Sequence, residues 1–181
     1  MKYRKIQCLL LAAAGGMVEA FSLIRLDGVF SNVQAANLLF GALALVRGDW
    51  KRMFLCGVSV AAYIVGIILC RVISQRLHRR KWQIGSLILS EMALITAALT
   101  WERCAEAAVF LLALLCGSYY EDLCSHMEKL LGTTPKVKYG LIFAYGAGVL
   151  AGALLLPAGG GYVLAVAGIV QLFCWFLSTK V

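Results

Sequence analysis

Seven apolar runs separated by short polar connections leave this chain little choice but to fold as helices in a bilayer. The runs are Ile6–Ile24, Gly28–Val46, Met53–Val72, Trp82–Leu99, Ala105–Leu123, Tyr139–Leu156 and Tyr162–Leu177. A run of this length reaches about 24–30 Å as a helix, close to the thickness of a hydrocarbon core. Inside hydrocarbon every backbone N–H and C=O must be satisfied within the protein, which leaves helices or a closed barrel, and no stretch shows the short alternating strands of a barrel. At 181 residues, 62% hydrophobic and 14% charged, with a mean hydropathy of +0.86, the composition lies beyond that of a soluble domain. The expectation is an all-α, polytopic transmembrane bundle forming one integral membrane domain over residues 1–181. With no linker or soluble appendage visible, its function is expected within the membrane body.

Charge placement tests whether every run crosses. The net charge of +8 comes from 17 Lys and Arg that flank apolar runs rather than forming a soluble basic face. The lipid bilayer is therefore the expected partner, and nucleic acid is not. If all seven runs crossed from a cytoplasmic N-terminus, seven basic residues would lie inside and ten outside, against the positive-inside rule. If Gly28–Val46 instead dips in and returns, twelve lie inside and five outside. Six spans plus one re-entrant or broken helix is the expected architecture, in a bacterial cytoplasmic (inner) membrane with the N-terminus cytoplasmic. Seven spans is the alternative, because a 19-residue run is long enough to cross. The basic start, first apolar run and Ala20 also fit a cleaved signal peptide. Glu19 would be an unusual neighbour for that cleavage, so the run is read as a retained helix.

The second run carries Asn32, Gln34 and Asn37 near its start. Unsatisfied amides cost several kcal/mol in hydrocarbon, so this segment must pack inside protein or line a wet cavity. Glu19 and Glu91 lie inside the first and fourth runs, where a carboxylate marks a functional site by default, and Arg25 is a potential ion-pair partner for Glu19. Tyr63, Tyr145, Tyr120 and Glu121 complete the expected solute-binding set. Asp122 and His126, four residues apart, read either as a relay or as the solvated end of a helix, and Gln171 as interhelical glue.

Small residues give a packing pattern. Ala144, Gly148 and Gly152 repeat every four residues, as do Ala62 and Gly66, so these helix faces can approach others closely, within the chain or in a homodimer. They also hint at duplication. Ala62-Tyr63-x-x-Gly66 matches Ala144-Tyr145-x-x-Gly148 at an offset of 82, and Gly16 with Glu19 resembles Gly117 with Tyr120 and Glu121 at an offset of 101. The difference is about one run, as though the counterpart of Gly28–Val46 had shrunk to Ser125–Lys138. Two degenerate inverted repeats, residues 1–100 and 101–181, would account for this; chance matches in a chain rich in Ala and Gly are the alternative.

Seven cysteines show neither CxxC nor a paired histidine spacing and read as small apolar side chains, with no metal or cofactor expected. No Ser-His, Cys-His, HExxH or phosphate-loop pattern is visible, so an enzyme is not expected.

The stretch GMVEAFS, residues 16–22, followed by GVFSNVQAANLLFGALAL from Gly28, resembles the YoaK-like family of small bacterial inner-membrane proteins of mostly unassigned function. Glu19 stands where the family pattern has Asp, Asn32 and Asn37 match its two Asn positions, and Ala35-Ala36 replace its Thr-Gly. IFAYGAGVLAGALL, from Ile142, resembles the family's penultimate helix. The resemblance implies a polytopic membrane protein with a polar centre at Glu19, Asn32 and Asn37, and it supplies no substrate. The leading expectation is a small transporter or channel-like protein for a small polar solute, proton-coupled through Glu19. The alternative is a non-transporting membrane subunit that works with a partner protein.

Overall fold

The apolar runs become helices, with one exception in the second. The computed structural model describes the backbone of residues 2–76, 79–131 and 135–178, and the side chains of residues 6–76, 85–118 and 139–177. Among them the helices are α1 (Lys2–Arg25), α2 (Gln34–Arg47), α3 (Trp50–Arg76), α4 (Arg79–Thr100), α5 (Ala105–Leu131), α6 (Pro135–Leu155) and α7 (Gly160–Ser178). A single 3-10 turn, Leu156–Ala158, joins the last two, and no strand is present among the described residues.

Four of these helices are long and apolar enough to cross a membrane over described residues, within Ile6–Arg25, Trp50–Arg76, Tyr139–Ala158 and Gly160–Leu177. That is fewer than the six expected. In α4 and α5 the described apolar portions are Gly85–Thr100 and Ala105–Ser118.

The second run is broken. Asp27 and Gly28, with φ of 54° and 74°, end α1 and reverse the chain through two left-handed residues. Residues 28–33 are non-helical, and α2 begins only at Gln34. At 14 residues α2 is about 21 Å long, short of the roughly 30 Å core. It closes at Gly48 (φ 73°), with Gly48 N–H donating to Leu45 O and Asp49 N–H to Ala44 O, a Schellman ending. The two ends of the broken segment then meet, Lys51 Nζ lying 2.7 Å from Asp27 Oδ2. The chain therefore leaves α1 and enters α3 at the same end of the bundle. Between those points it consists of an irregular stretch of turns and bends followed by a half-length helix.

α1 is the central element, packed on α6 and α7 and touching α5, while α3 packs on α5 and α2, and α4 on α5 and α7. Its buried side includes Ala14, Val18, Phe21 and Ser22, and Phe21 meets Trp101 edge-on at 5.8 Å. The small-residue faces are consumed inside the chain. A Cβ on Gly148 would overlap the Ala13 carbonyl, one on Gly16 the Tyr145 carbonyl, and one on Gly152 would sit 3.0 Å from Met17 Cα. Across α3 and α5, a Cβ on Gly66 would overlap the Leu114 carbonyl and one on Gly117 the Tyr63 carbonyl. Ala62 is fully buried and Ala144 partly so. Outside, Leu38, Met92, Phe143, Leu150 and Ile169 are all more than 60% exposed, an apolar surface suited to lipid.

Candidate functional site

Where the second run breaks, backbone N–H groups lose their helical partners inside the bundle, and a carboxylate from α1 takes them. Glu19 Oε2 accepts from Ser31 N–H at 3.1 Å, Ser31 Oγ at 2.7 Å and Asn32 N–H at 2.9 Å. Val33, the residue preceding α2, offers no side-chain cap, so Glu19 serves the break from a distance in sequence as a capping side chain ordinarily does from nearby. A negative group at the opening of α2 is also favoured by the helix dipole.

A second set of bonds fixes the other side of the break. Asn37 Oδ1 accepts from Phe30 N–H at 2.8 Å, and its Nδ2 donates to Phe30 O at 2.6 Å, with Gln34 Oε1 at 2.8 Å and Ser59 Oγ at 3.0 Å. Ser59 Oγ donates to Phe30 O at 2.7 Å, and Gln34 Nε2 to Ser31 O at 2.8 Å. Asn32 Nδ2 reaches Gly15 O at 3.3 Å. The amides expected to face a solute are thus brought together, and much of their bonding capacity is used in holding the non-helical chain against α1 and α3. Ser31 and Ser59 are essential to this network, and sequence reading passed over both. Their signal was weak: single hydroxyls in apolar segments, 28 residues apart.

What the network leaves bare is on α1. Glu19 Oε1 and Ser22 Oγ are buried without a hydrogen-bond partner among the described residues. Cys116 of α5 is buried near Glu19, and Gly15 packs beside the break, its hypothetical Cβ falling 3.8 Å from Asn32 Nδ2 and 4.0 Å from Tyr145 Cε2.

A family model described as protein of unknown function (DUF1275) matches residues 7–121. The chain belongs to the DUF1275 family. Neither a curated protein nor a solved structure matches it. The YoaK-like resemblance is consistent with DUF1275, although the matched family does not carry that name. The DUF1275 match contains Glu19, the whole broken segment and Ser59, and it ends before α6 and α7.

The remaining expected residues divide. Within the DUF1275 stretch, Tyr63 packs against the core at the α3–α5 crossing, and Glu91 sits in the α4–α7 contact, where a Cβ on Gly168 would press on its carboxylate. Glu91 Oε1 also lacks a partner among the described residues. Beyond the DUF1275 stretch, Tyr145 stands at the α1–α6 crossing. Tyr120, Glu121, Asp122 and His126 carry side chains outside the described set. Arg25 does not pair with Glu19. Six residues along a helix is about 240° around it, so Arg25 faces elsewhere, donating to Leu156 O at 3.2 Å with its guanidinium 5.3 Å from the Trp101 ring. Gln171 does act between helices, its Oε1 lying 3.1 Å from Ser90 Oγ. No group of three potential metal ligands occurs among the described residues.

Proposed function

We propose that this chain is a small membrane transporter for a small polar solute, with six spans, one re-entrant segment and two inverted repeats. The observation that carries the proposal is a symmetry in the packing. Exchanging α1, α3 and α4 with α5, α6 and α7 turns the α1–α6 contact into α5–α3, and α1–α7 into α5–α4. The contacts α1–α5 and α4–α7 map onto themselves. Individual residues obey the same exchange. Gly16 against Tyr145 becomes Gly117 against Tyr63, and Gly148 against Ala13 becomes Gly66 against Leu114, at the offsets of 101 and 82 visible in the sequence.

Three spans per repeat make the two halves opposite in direction, related by an axis in the membrane plane. The proposal counts α4 and α5 as spans on this ground, and the re-entrant segment is the element without a partner. Twelve basic residues then fall on the side of the N-terminus and five on the other, which makes the first side cytoplasmic in a bacterial inner membrane. Inverted repeats support alternating access because one packing can be adopted by either half in turn, opening a central site first to one side and then to the other. Glu19, next to the chain break and on the helix that contacts its own counterpart α5, is the residue through which solute movement is coupled to an ion.

Purified protein in liposomes, screened with amino acids, amines, sugars and polyols, tests this reading. Saturable uptake of one class, lost in Glu19→Gln, is the expected result. No uptake by folded protein, together with co-purification of a second membrane protein, would instead establish a non-transporting subunit.

A further inference from the structure

Two oxygens on α1 face the interior with nothing to bond. Glu19 is 4% exposed and Ser22 1%, and neither Glu19 Oε1 nor Ser22 Oγ has a hydrogen-bond partner among the described residues. Residues at i and i+3 are neighbours on a helix surface, with Cβ atoms about 5–6 Å apart. Oxygens on side chains so placed can share one hard cation.

The bonded half of the carboxylate indicates the charge of the guest. Oε2 accepts from two backbone N–H groups and one hydroxyl, the donor set that an ionised carboxylate attracts. A carboxylate with one oxygen bare in the interior keeps its charge most readily when a positive group is placed there. Three basic side chains at that end of the bundle lie against other groups: Arg25 against Leu156 O and Trp101, Lys51 against Asp27, and Arg52 over the Phe40 ring. The donor set narrows the guest further. One carboxylate balances one positive charge, oxygen donors favour hard ions, and no cluster of three acidic, His or Cys side chains exists among the described residues to hold a divalent or transition metal.

We propose that Glu19 Oε1 and Ser22 Oγ form a binding site for a monovalent alkali cation of sodium or potassium size, with water or the solute completing its coordination. The site names the coupling ion for the transport reading and rests on that reading for its role. Because Oε2 of the same carboxylate holds Ser31 and Asn32, cation occupancy is linked directly to the break that begins α2.

Thermal unfolding of the purified full chain in detergent, in sodium, potassium or N-methylglucamine chloride at equal ionic strength, measures binding without any solute. The expected result is a saturable rise in Tm in an alkali salt. Ser22→Ala leaves the Oε2 bonds intact and removes an unpaired buried hydroxyl, so it should melt no lower than wild type in N-methylglucamine. Its alkali response should need severalfold more salt. Equal Tm values in all three salts overturn the proposal, as does an alkali response that Ser22→Ala leaves unchanged. Liposome uptake is scored separately. An alkali response without solute movement removes the transport reading and keeps the site, while uptake without an alkali response does the reverse.

Discussion

Gly146 and Gly148 lie on the same helix, two residues apart, and should respond to alanine in opposite directions. A Cβ on Gly146 would meet nothing within 4 Å, whereas one on Gly148 would overlap the Ala13 carbonyl and stand 2.8 Å from Ala13 Cα. Carbon atoms pack best at about 3.5–4.0 Å, so α1 and α6 must separate by about 1 Å to admit the methyl. Overpacking of this kind costs about 1–3 kcal/mol, and a wall of backbone cannot turn aside, which places Gly148→Ala near about 3 kcal/mol. Alanine returns up to about 1 kcal/mol over glycine in a helix. Gly148→Ala should therefore lose about 2 kcal/mol while Gly146→Ala gains up to about 1, a gap of about a hundredfold in the folding equilibrium. The proposed repeat adds a twin experiment on α3. A Cβ on Gly66 would overlap the Leu114 carbonyl and one on Gly57 meets nothing within 4 Å, so Gly66→Ala and Gly57→Ala should show the same gap. Reversible unfolding in mixed micelles, followed by circular dichroism, measures all four. Variants at 148 and 146 within 1 kcal/mol of each other would refute the close-packing account, and a gap on α6 without one on α3 would refute the equivalence of the two crossings.

Other residues give further tests. Asn37→Ala removes both bonds to Phe30 and the contacts to Gln34 and Ser59, and stranding buried backbone groups should cost about 3 kcal/mol in the same unfolding assay. Arg25→Ala loses one bond to Leu156 O and its place over Trp101, both partly exposed, and should cost only about 1 kcal/mol while leaving solute uptake intact. Uptake falling as far as in Glu19→Gln would return Arg25 to the site. Single cysteines at Asp27 and Asp49, in a cysteine-free background that folds, should both react with an impermeant thiol reagent in intact cells. Labelling of Asp27 alone would make the second run a full span and remove the inverted repeats.

The location of the polar centre was legible because hydrocarbon makes it so: Asn32, Gln34, Asn37 and Glu19 stand out in runs where a polar side chain must be accounted for. Their partners were less legible. Ser31 and Ser59 are ordinary residues by type, and nothing local shows that one bonds Glu19, twelve positions earlier, or that the other bonds Phe30, twenty-nine positions away. Arg25 was a reasonable counter-ion by proximity in sequence, and helical rotation turned it toward Trp101 instead. The bonds that the amides make inside the chain were not legible either, since it is the break's own unsatisfied backbone that takes them.

By itself the sequence determined that the chain is all-helical, with runs apolar enough for a membrane, and that the second run carries polar residues that interrupt it. These follow from solvent, because the bilayer penalises charge and unpaired backbone residue by residue. Tertiary structure alone decided that the ends of the interrupted run return to one end of the bundle, that Gly16 meets Tyr145 as Gly117 meets Tyr63, and which atom of Glu19 is left bare. Each depends on contact between segments distant in sequence, and a hydrogen bond has no sequence signature until the fold has set its distance and angle.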